Sequence, residues 1–188
     1  MPEATTMSSL SELLYHHFLE TGMAWAVLGA IGAVMFGGIG SAKGIRLAAT
    51  QGAGVLSEKP ELFGKLLALI ALPGTQGFYG FVCAFMIAAQ TGLLDANITT
   101  TPSTGVALMF IGLGAGVVLW ISAVNQGAAS AASINLVAKK PDQLGRSLLF
   151  PALVETYAIV ALLAAILLIT WVTGVQAFAP VLKLPVAG

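Results

Sequence analysis

Four long apolar runs, about Met23 to Ala42, Leu66 to Gly92, Gly105 to Ile134 and Leu148 to Val175, alternate with short polar stretches along the chain. Each run exceeds the roughly 20 residues a helix needs to cross the hydrocarbon core of a bilayer. The pattern predicts four transmembrane helices. The connections, Ser57 to Glu61, Leu94 to Ser103 and Lys139 to Asp142, are short, so consecutive helices run antiparallel as hairpins. Ahead of the first run, Leu10, Leu13, Leu14 and Phe18 recur at helical spacing opposite Glu12 and His16. That spacing fits a short amphipathic helix on the membrane surface or a frayed tail. The segment has three acids and no basic residue, so it lacks the n-region of a secretory signal.

Composition narrows the class further. Of 188 residues, 57% are hydrophobic and only 9% charged, against about 25% charged in a soluble domain. Formal net charge is zero, and no basic patch interleaved with aromatics points to nucleic acid. The one cysteine, Cys83, lies in an apolar run, which excludes an intrachain disulfide and suits a small buried side chain. His16 and His17 are the only histidines, and neighbours on a helix point about 100° apart, so they make a poor metal pair. Gly38-Ile-Gly-Ser-Ala-Lys43-Gly44 matches neither glycine-rich phosphate pattern and lies within a membrane run, so no nucleotide site is expected.

Basic residues set the orientation. Lys43, Arg46, Lys59, Lys65, Lys139, Lys140 and Arg146 all flank the first and third connections, while the Asp95 loop and the N-terminal tail have none and only Lys183 lies on the C-terminal tail. By the positive-inside rule the two Lys-Pro loops are cytoplasmic and both termini extracytoplasmic.

Aligning those loops exposes a tandem repeat. Pro60 and Pro141 are 81 residues apart, and the same offset pairs Gly64 with Gly145, Lys65 with Arg146, Leu72 with Leu153 and Thr75 with Thr156. The fold class expected is an all-α membrane protein of two tandem-duplicated helical hairpins. The organisation is an extension over residues 1–21, hairpins over 22–97 and 98–175, and a tail over 176–188.

Glu155 is the only acid in any of the apolar runs, with nothing basic nearby. Insertion scales put the cost of a charge at membrane depth at about 2.5–3.5 kcal/mol, so such a residue marks a functional site unless it serves as protonated packing glue between helices. At the repeat offset Glu155 falls on Gly74, beside the polar cluster Leu72-Pro-Gly-Thr75-Gln76-Gly-Phe-Tyr79. Positions 72, 75, 76 and 79 share one helical face. Pro73 has no N–H and disfavours helical geometry before it, which would tilt the Leu72 carbonyl away from its usual partner and free it as a ligand; Pro151 would loosen the fourth helix similarly. Counted from the two loop prolines, Thr75, Gln126 and Glu155 all lie about 21–23 Å from the cytoplasmic turn at about 1.5 Å per residue. Oxygens from Thr75, Gln76, Gln126, Glu155 and the Leu72 carbonyl describe a hard-cation site, and a single carboxylate suits a monovalent ion.

Gly29, Gly32, Gly37, Gly40 and Gly44 in the first helix, and Gly105, Gly112 and Gly116 in the third, permit close helix approach. Spacing alone fits equally a crowded inner wall of a ring of identical subunits and simple packing within one chain.

Together, Leu72-Pro-Gly-Thr-Gln-Gly-Phe-Tyr79, Gln126, Lys139-Lys-Pro141 and Val154-Glu-Thr-Tyr157 resemble the proteolipid (K or c-type) subunit of bacterial V-type, or V/A-type, rotary ATPases. The resemblance covers about Gly22 to Val172. It implies a homo-oligomeric rotor ring that carries ions past a stator subunit bearing an essential arginine and is coupled through a central stalk, docked at the cytoplasmic loops, to an ATPase head. It implies further that Leu72, Thr75, Gln76, Gln126 and Glu155 coordinate Na+ and that Tyr79 closes over the carboxylate. The chain itself would perform no bond chemistry. Sodium is favoured over a proton, because a proton needs only Glu155 whereas the other polar groups cost free energy in lipid unless something uses them. A proton held in the same hydrogen-bonded nest, with or without a water, is the alternative. A stand-alone four-helix channel predicts a stripe of polar residues along one helix; the expectation here is instead polar groups gathered at one depth.

Overall fold

The computed structural model describes residues 11, 12, 15, 20–94 and 100–182, with side chains as far as Gly174. The expected surface helix at Leu10, Leu13, Leu14 and Phe18, the His16–His17 pair, Asp95 and Lys183 lie outside the described residues.

Four spans are long and apolar enough to cross a membrane: Met23–Glu58, Pro60–Gln90, Pro102–Lys139 and Pro141–Gly174. The first is one helix, α1 (Met23–Glu58), and the third is one helix, α4 (Pro102–Lys139). The second is broken, with α2 (Phe63–Ala71) and α3 (Thr75–Gln90) joined by a 3-10 turn at Leu72–Gly74. The fourth starts as α5 (Leu144–Ser147) and continues as α6 (Leu149–Leu182) after Leu148. Both breaks sit at or just before the prolines flagged by the sequence, Pro73 and Pro151.

The helices overrun the apolar windows. α1 continues 16 residues beyond Ala42, through Lys43 and Arg46, before its cap at Lys59, whose N–H bonds the Val55 carbonyl. Hydropathy marks where lipid ends, while a helix stops only where its backbone bonding is interrupted, here at Pro60. At the other end of the hairpin, Gly92 adopts φ 73° and the Leu93 N–H reaches the Ala88 carbonyl at 3.1 Å, a left-handed C-terminal cap that suits glycine. α4 begins with Pro102 in its first turn, and the Thr101 hydroxyl accepts the Thr104 N–H.

The most extensive packing is α1 against α4. It rests on glycines facing backbone: a Cβ at Gly29 would strike the Leu108 carbonyl, at Gly112 the Gly29 carbonyl, at Gly44 the Ala123 carbonyl, and at Gly127 the Gly44 carbonyl. Gly22 combines φ 71° with the same backbone crowding against Thr101. The glycine spacing therefore serves packing between the two hairpins of one chain. Such contact replaces the hydrophobic effect, which supplies no drive between helices already in lipid. α3 and α6 lie outside this pair, and Phe78, Leu153, Val160, Leu167 and Trp171 are more than half exposed along them. At the basic end, Lys59 Nζ donates to the Ala138 carbonyl at 2.6 Å and Lys65 Nζ to the Pro141 carbonyl at 3.1 Å, joining the two Lys-Pro loops.

Candidate ion-binding site

The proline break in the second span shapes one wall of the site. In the 3-10 turn the Leu72 carbonyl accepts the Thr75 N–H, and it also accepts the Thr75 hydroxyl at 3.1 Å. The carbonyl is thus drawn into a tighter turn and not left without a partner. The single Thr75 hydroxyl proton is shared with Gln76 Oε1, 3.3 Å away, which groups three oxygens at the start of α3.

From there the bonding crosses to the second hairpin. Gln76, fully buried, donates from Nε2 to Gln126 Oε1 at 2.7 Å and to Ser122 Oγ at 3.3 Å. Gln126, also fully buried, donates to Glu155 Oε2 at 3.3 Å and to the Pro151 carbonyl at 3.0 Å. Tyr79 OH donates to the other carboxylate oxygen, Oε1, at 2.7 Å. Leu72, Thr75, Gln76, Gln126, Glu155 and Tyr79 therefore form one continuous network spanning both hairpins.

Three supporting groups carry no signal in a residue-by-residue reading. Ser122, one turn before Gln126, donates to the Val154 carbonyl at 3.3 Å and fixes α4 against α6 beside the carboxylate. Its repeat partner Ser41 accepts the Gly77 N–H at 2.8 Å, tying α1 to the first turn of α3. Ser133 donates to the Ser147 carbonyl at 2.8 Å, the carbonyl whose helical partner would be the missing N–H of Pro151. The repeat offset and the i−4 spacing from Gln126 would have pointed to the first two; the third is visible only once α4 and α5 are placed together.

Polar residues are also less confined in depth than the sequence suggests. Ser122, Gln126, Ser130 and Ser133 recur every three or four residues on α4, all buried, and run from the carboxylate level toward the basic end. Ser130 Oγ has no hydrogen-bond partner, the one buried side-chain atom of this kind among the described residues. The network around Glu155 remains distinct from this row, because only there do amide, hydroxyl, carbonyl and carboxylate oxygens converge.

The donor set is all oxygen, with one carboxylate among neutral groups. Carboxylate, amide, hydroxyl and carbonyl oxygens are the ligand types that hard cations prefer; no cluster of three or more His, Cys, Asp or Glu occurs among the described residues.

A duplicated hairpin that carries one carboxylate into the bilayer defines a class, the membrane proteolipids of rotary ion-translocating machines. Two stretches of the chain, residues 28–87 and 109–168, match the ATP synthase C-subunit family. Their starts are separated by the same 81 residues that relate Pro60 to Pro141. The chain belongs to this family, and it is a multi-pass membrane rotor protein that assembles with identical copies into a ring. It is 40% identical over 150 residues to the V-type sodium ATPase subunit K of Enterococcus hirae, across 79% of this chain and 92% of that protein. It is likewise 40% identical over 149 residues to the A-type ATP synthase subunit K of Methanocaldococcus jannaschii, across 78% of this chain and 63% of that protein.

Proposed function

We propose that this protein carries Na+ in the rotor ring of a V/A-type ATPase, with Glu155 as the exchanging carboxylate. Leu72, Thr75, Gln76 and Gln126 supply the neutral oxygens, and Tyr79 closes over the carboxylate. The observation that carries the reading is the network that joins these six residues across the two hairpins, around the one acid of the apolar runs. The name of the Enterococcus hirae relative, a sodium ATPase subunit, supports the choice of ion.

The chemistry follows from the dielectric. While Glu155 faces lipid, bare charge costs too much, so the site travels only when a cation neutralises it. The Tyr79 and Gln126 hydrogen bonds hold both carboxylate oxygens in one rotamer, so an arriving ion meets ligands already placed. Release needs a competing positive charge and a wet path. The arginine of a stator subunit supplies the first in this proposal, and half-channels along that subunit supply the second. Rotation then couples ion passage to ATP chemistry in partner subunits. The joined Lys-Pro loops face the cytoplasm and present the docking surface for the central stalk, with both termini on the other side.

The repeat also argues for one ion per chain. At the positions equivalent to Glu155, Gln126 and Gln76 stand Gly74, Ile45 and Tyr157, which offer neither a carboxylate nor an amide. The test is ATP-driven transport by the complete complex in sealed vesicles. Na+ uptake should persist when a protonophore collapses the proton gradient. Uptake abolished by the protonophore, together with acidification of the lumen at every Na+ concentration when the protonophore is left out, would assign the site to the proton.

A further inference from the structure

Ser130 is fully buried on α4, and its hydroxyl has no hydrogen-bond partner. Threonines elsewhere in the spans return their hydroxyls to the carbonyl four residues earlier: Thr91 to Ile87 at 2.9 Å, Thr170 to Ile166 at 2.8 Å and Thr173 to Ile169 at 2.9 Å. Ser130 makes no such bond to the Gln126 carbonyl, so its hydroxyl points away from its own backbone and into the packing between helices. A hydroxyl shut away from water without a partner is destabilising, and it marks a place where another polar group is needed.

The proline break in the second span creates the matching acceptor. In a continuous helix the Leu69 carbonyl would accept the N–H of residue 73, and Pro73 has none. The Leu72 N–H is committed to the Ala68 carbonyl. Leu69 is fully buried, so bulk solvent does not serve its carbonyl instead. At the other break the same gap is filled directly, because the Ser147 carbonyl, deprived of a donor by Pro151, accepts the Ser133 hydroxyl at 2.8 Å.

Ser130 stands at the level of the Leu69 carbonyl. Gln76 bonds both Ser122 and Gln126, which sets its level on α4 between those two. Leu69 lies two turns nearer the basic end than Gln76, about 10–12 Å, and on the antiparallel α4 that distance ends at about residue 131. Leu69 and Ile134 share one core cluster, in agreement with this register.

We infer that Ser130 and the Leu69 carbonyl hold one buried water between them at the proline break. The water donates a proton to the carbonyl and accepts the Ser130 proton, so each group gains the partner that the helices deny it. These two bonds are within the two to four that a buried water makes. A bridge through water thus does at Pro73 what Ser133 does directly at Pro151. Leu69 and Leu72 flank the same break, so the water ties down the base of the turn whose Leu72 carbonyl and Thr75 hydroxyl enter the polar network. The site is a hydration site, separate from the carboxylate, and it stands whichever cation the network takes.

The direct test is a density map of the unmodified complete complex at a resolution that shows ordered waters. A single peak about 2.7–3.1 Å from both Ser130 Oγ and the Leu69 carbonyl is expected. A Ser130 hydroxyl bonded straight to a protein carbonyl, with no peak between it and Leu69, overturns the inference. A double-mutant cycle reads the same bridge in stability, through the midpoint of thermal dissociation of the ring in the complete complex. Ser130→Ala should lower that midpoint by about 2–4 °C, because the water leaves and the carbonyl is stranded. Pro73→Ala returns an N–H to the Leu69 carbonyl, so adding Ser130→Ala to it should cost less than half as much. An unchanged or raised midpoint for Ser130→Ala alone, or an equal loss in both backgrounds, overturns the bridge. If Pro73→Ala prevents assembly, the density map decides.

Discussion

Thr75 and Thr156 occupy equivalent places in the two hairpins, and each hydroxyl donates to the carbonyl three residues earlier, Leu72 at 3.1 Å and Leu153 at 2.7 Å. The local turn chemistry survived duplication in both. Around it, the hairpins diverge. Thr75 also reaches Gln76 and, through it, Gln126 and Glu155. Thr156 is exposed, beside Tyr157, which is 73% exposed. The first hairpin keeps neutral oxygens and a glycine where the second keeps the acid, so neither holds a complete donor set alone. The difference teaches that the polar network is a property of the pair of hairpins, pressed together by the α1–α4 glycine seam, and that the ion site proposed above would need both.

The sharpest way to break that comparison is to remove the one group without a counterpart. Glu155→Gln keeps the size and shape of the side chain but cannot alternate between charged and neutralised states. It should abolish ion transport and rotor-coupled ATP hydrolysis while the ring still assembles, as seen by intact-complex mass measurement. Continued pumping by this variant would remove the carboxylate from the mechanism.

The seam comes next. Gly44→Val would drive side-chain atoms into the Ala123 carbonyl and the Pro73 ring, where neither wall is a flexible tip. Overpacking of this kind costs about 1–3 kcal/mol or more, and here it separates the hairpins that share the site. Loss of assembled ring from detergent extracts is expected. Gly54, with open space at its Cβ position, gives the contrast: Gly54→Ala should leave assembly intact and raise thermal stability slightly, by about 0.5–1 kcal/mol.

The equivalent threonines give the finest comparison. Thr75→Ala removes a hydroxyl from the network, and hydrogen bonds to charged or ion-bearing groups are worth about 1.5–3 kcal/mol. Na+ affinity should fall about 10- to 100-fold, read as the Na+ concentration that half-saturates ATP hydrolysis. Thr156→Ala deletes the same local bond in the other hairpin and should leave that concentration unchanged. Equal effects at both positions would mean that the hairpins are not specialised.

Much of this was legible in the sequence because membrane burial leaves few reasons for polar residues. Four apolar runs gave the spans, the Lys-Pro loops revealed the duplication, and counting from those prolines set Thr75, Gln126 and Glu155 at one level, where they meet in one network. The helix ends were not legible: α1 runs on through Lys43 and Arg46 because charge ends lipid contact without ending a helix. Nor was the buried row at Ser130 and Ser133, since serine in an apolar run reads as a small packing residue until a carbonyl such as that of Ser147 is seen opposite. The use of the glycines within the chain depends on which faces meet, and spacing alone does not state it.

The central claim, that the two hairpins jointly hold Na+ at Glu155, is tested most directly by carbodiimide labelling of the assembled ring. The reagent attacks the protonated acid, so a bound cation shields it. At fixed mildly acidic pH, millimolar Na+ should block labelling of Glu155 and K+ should not. Thr75→Ala, in the other hairpin, should shift the protecting Na+ concentration upward. Labelling that follows pH alone and ignores Na+ would contradict the account.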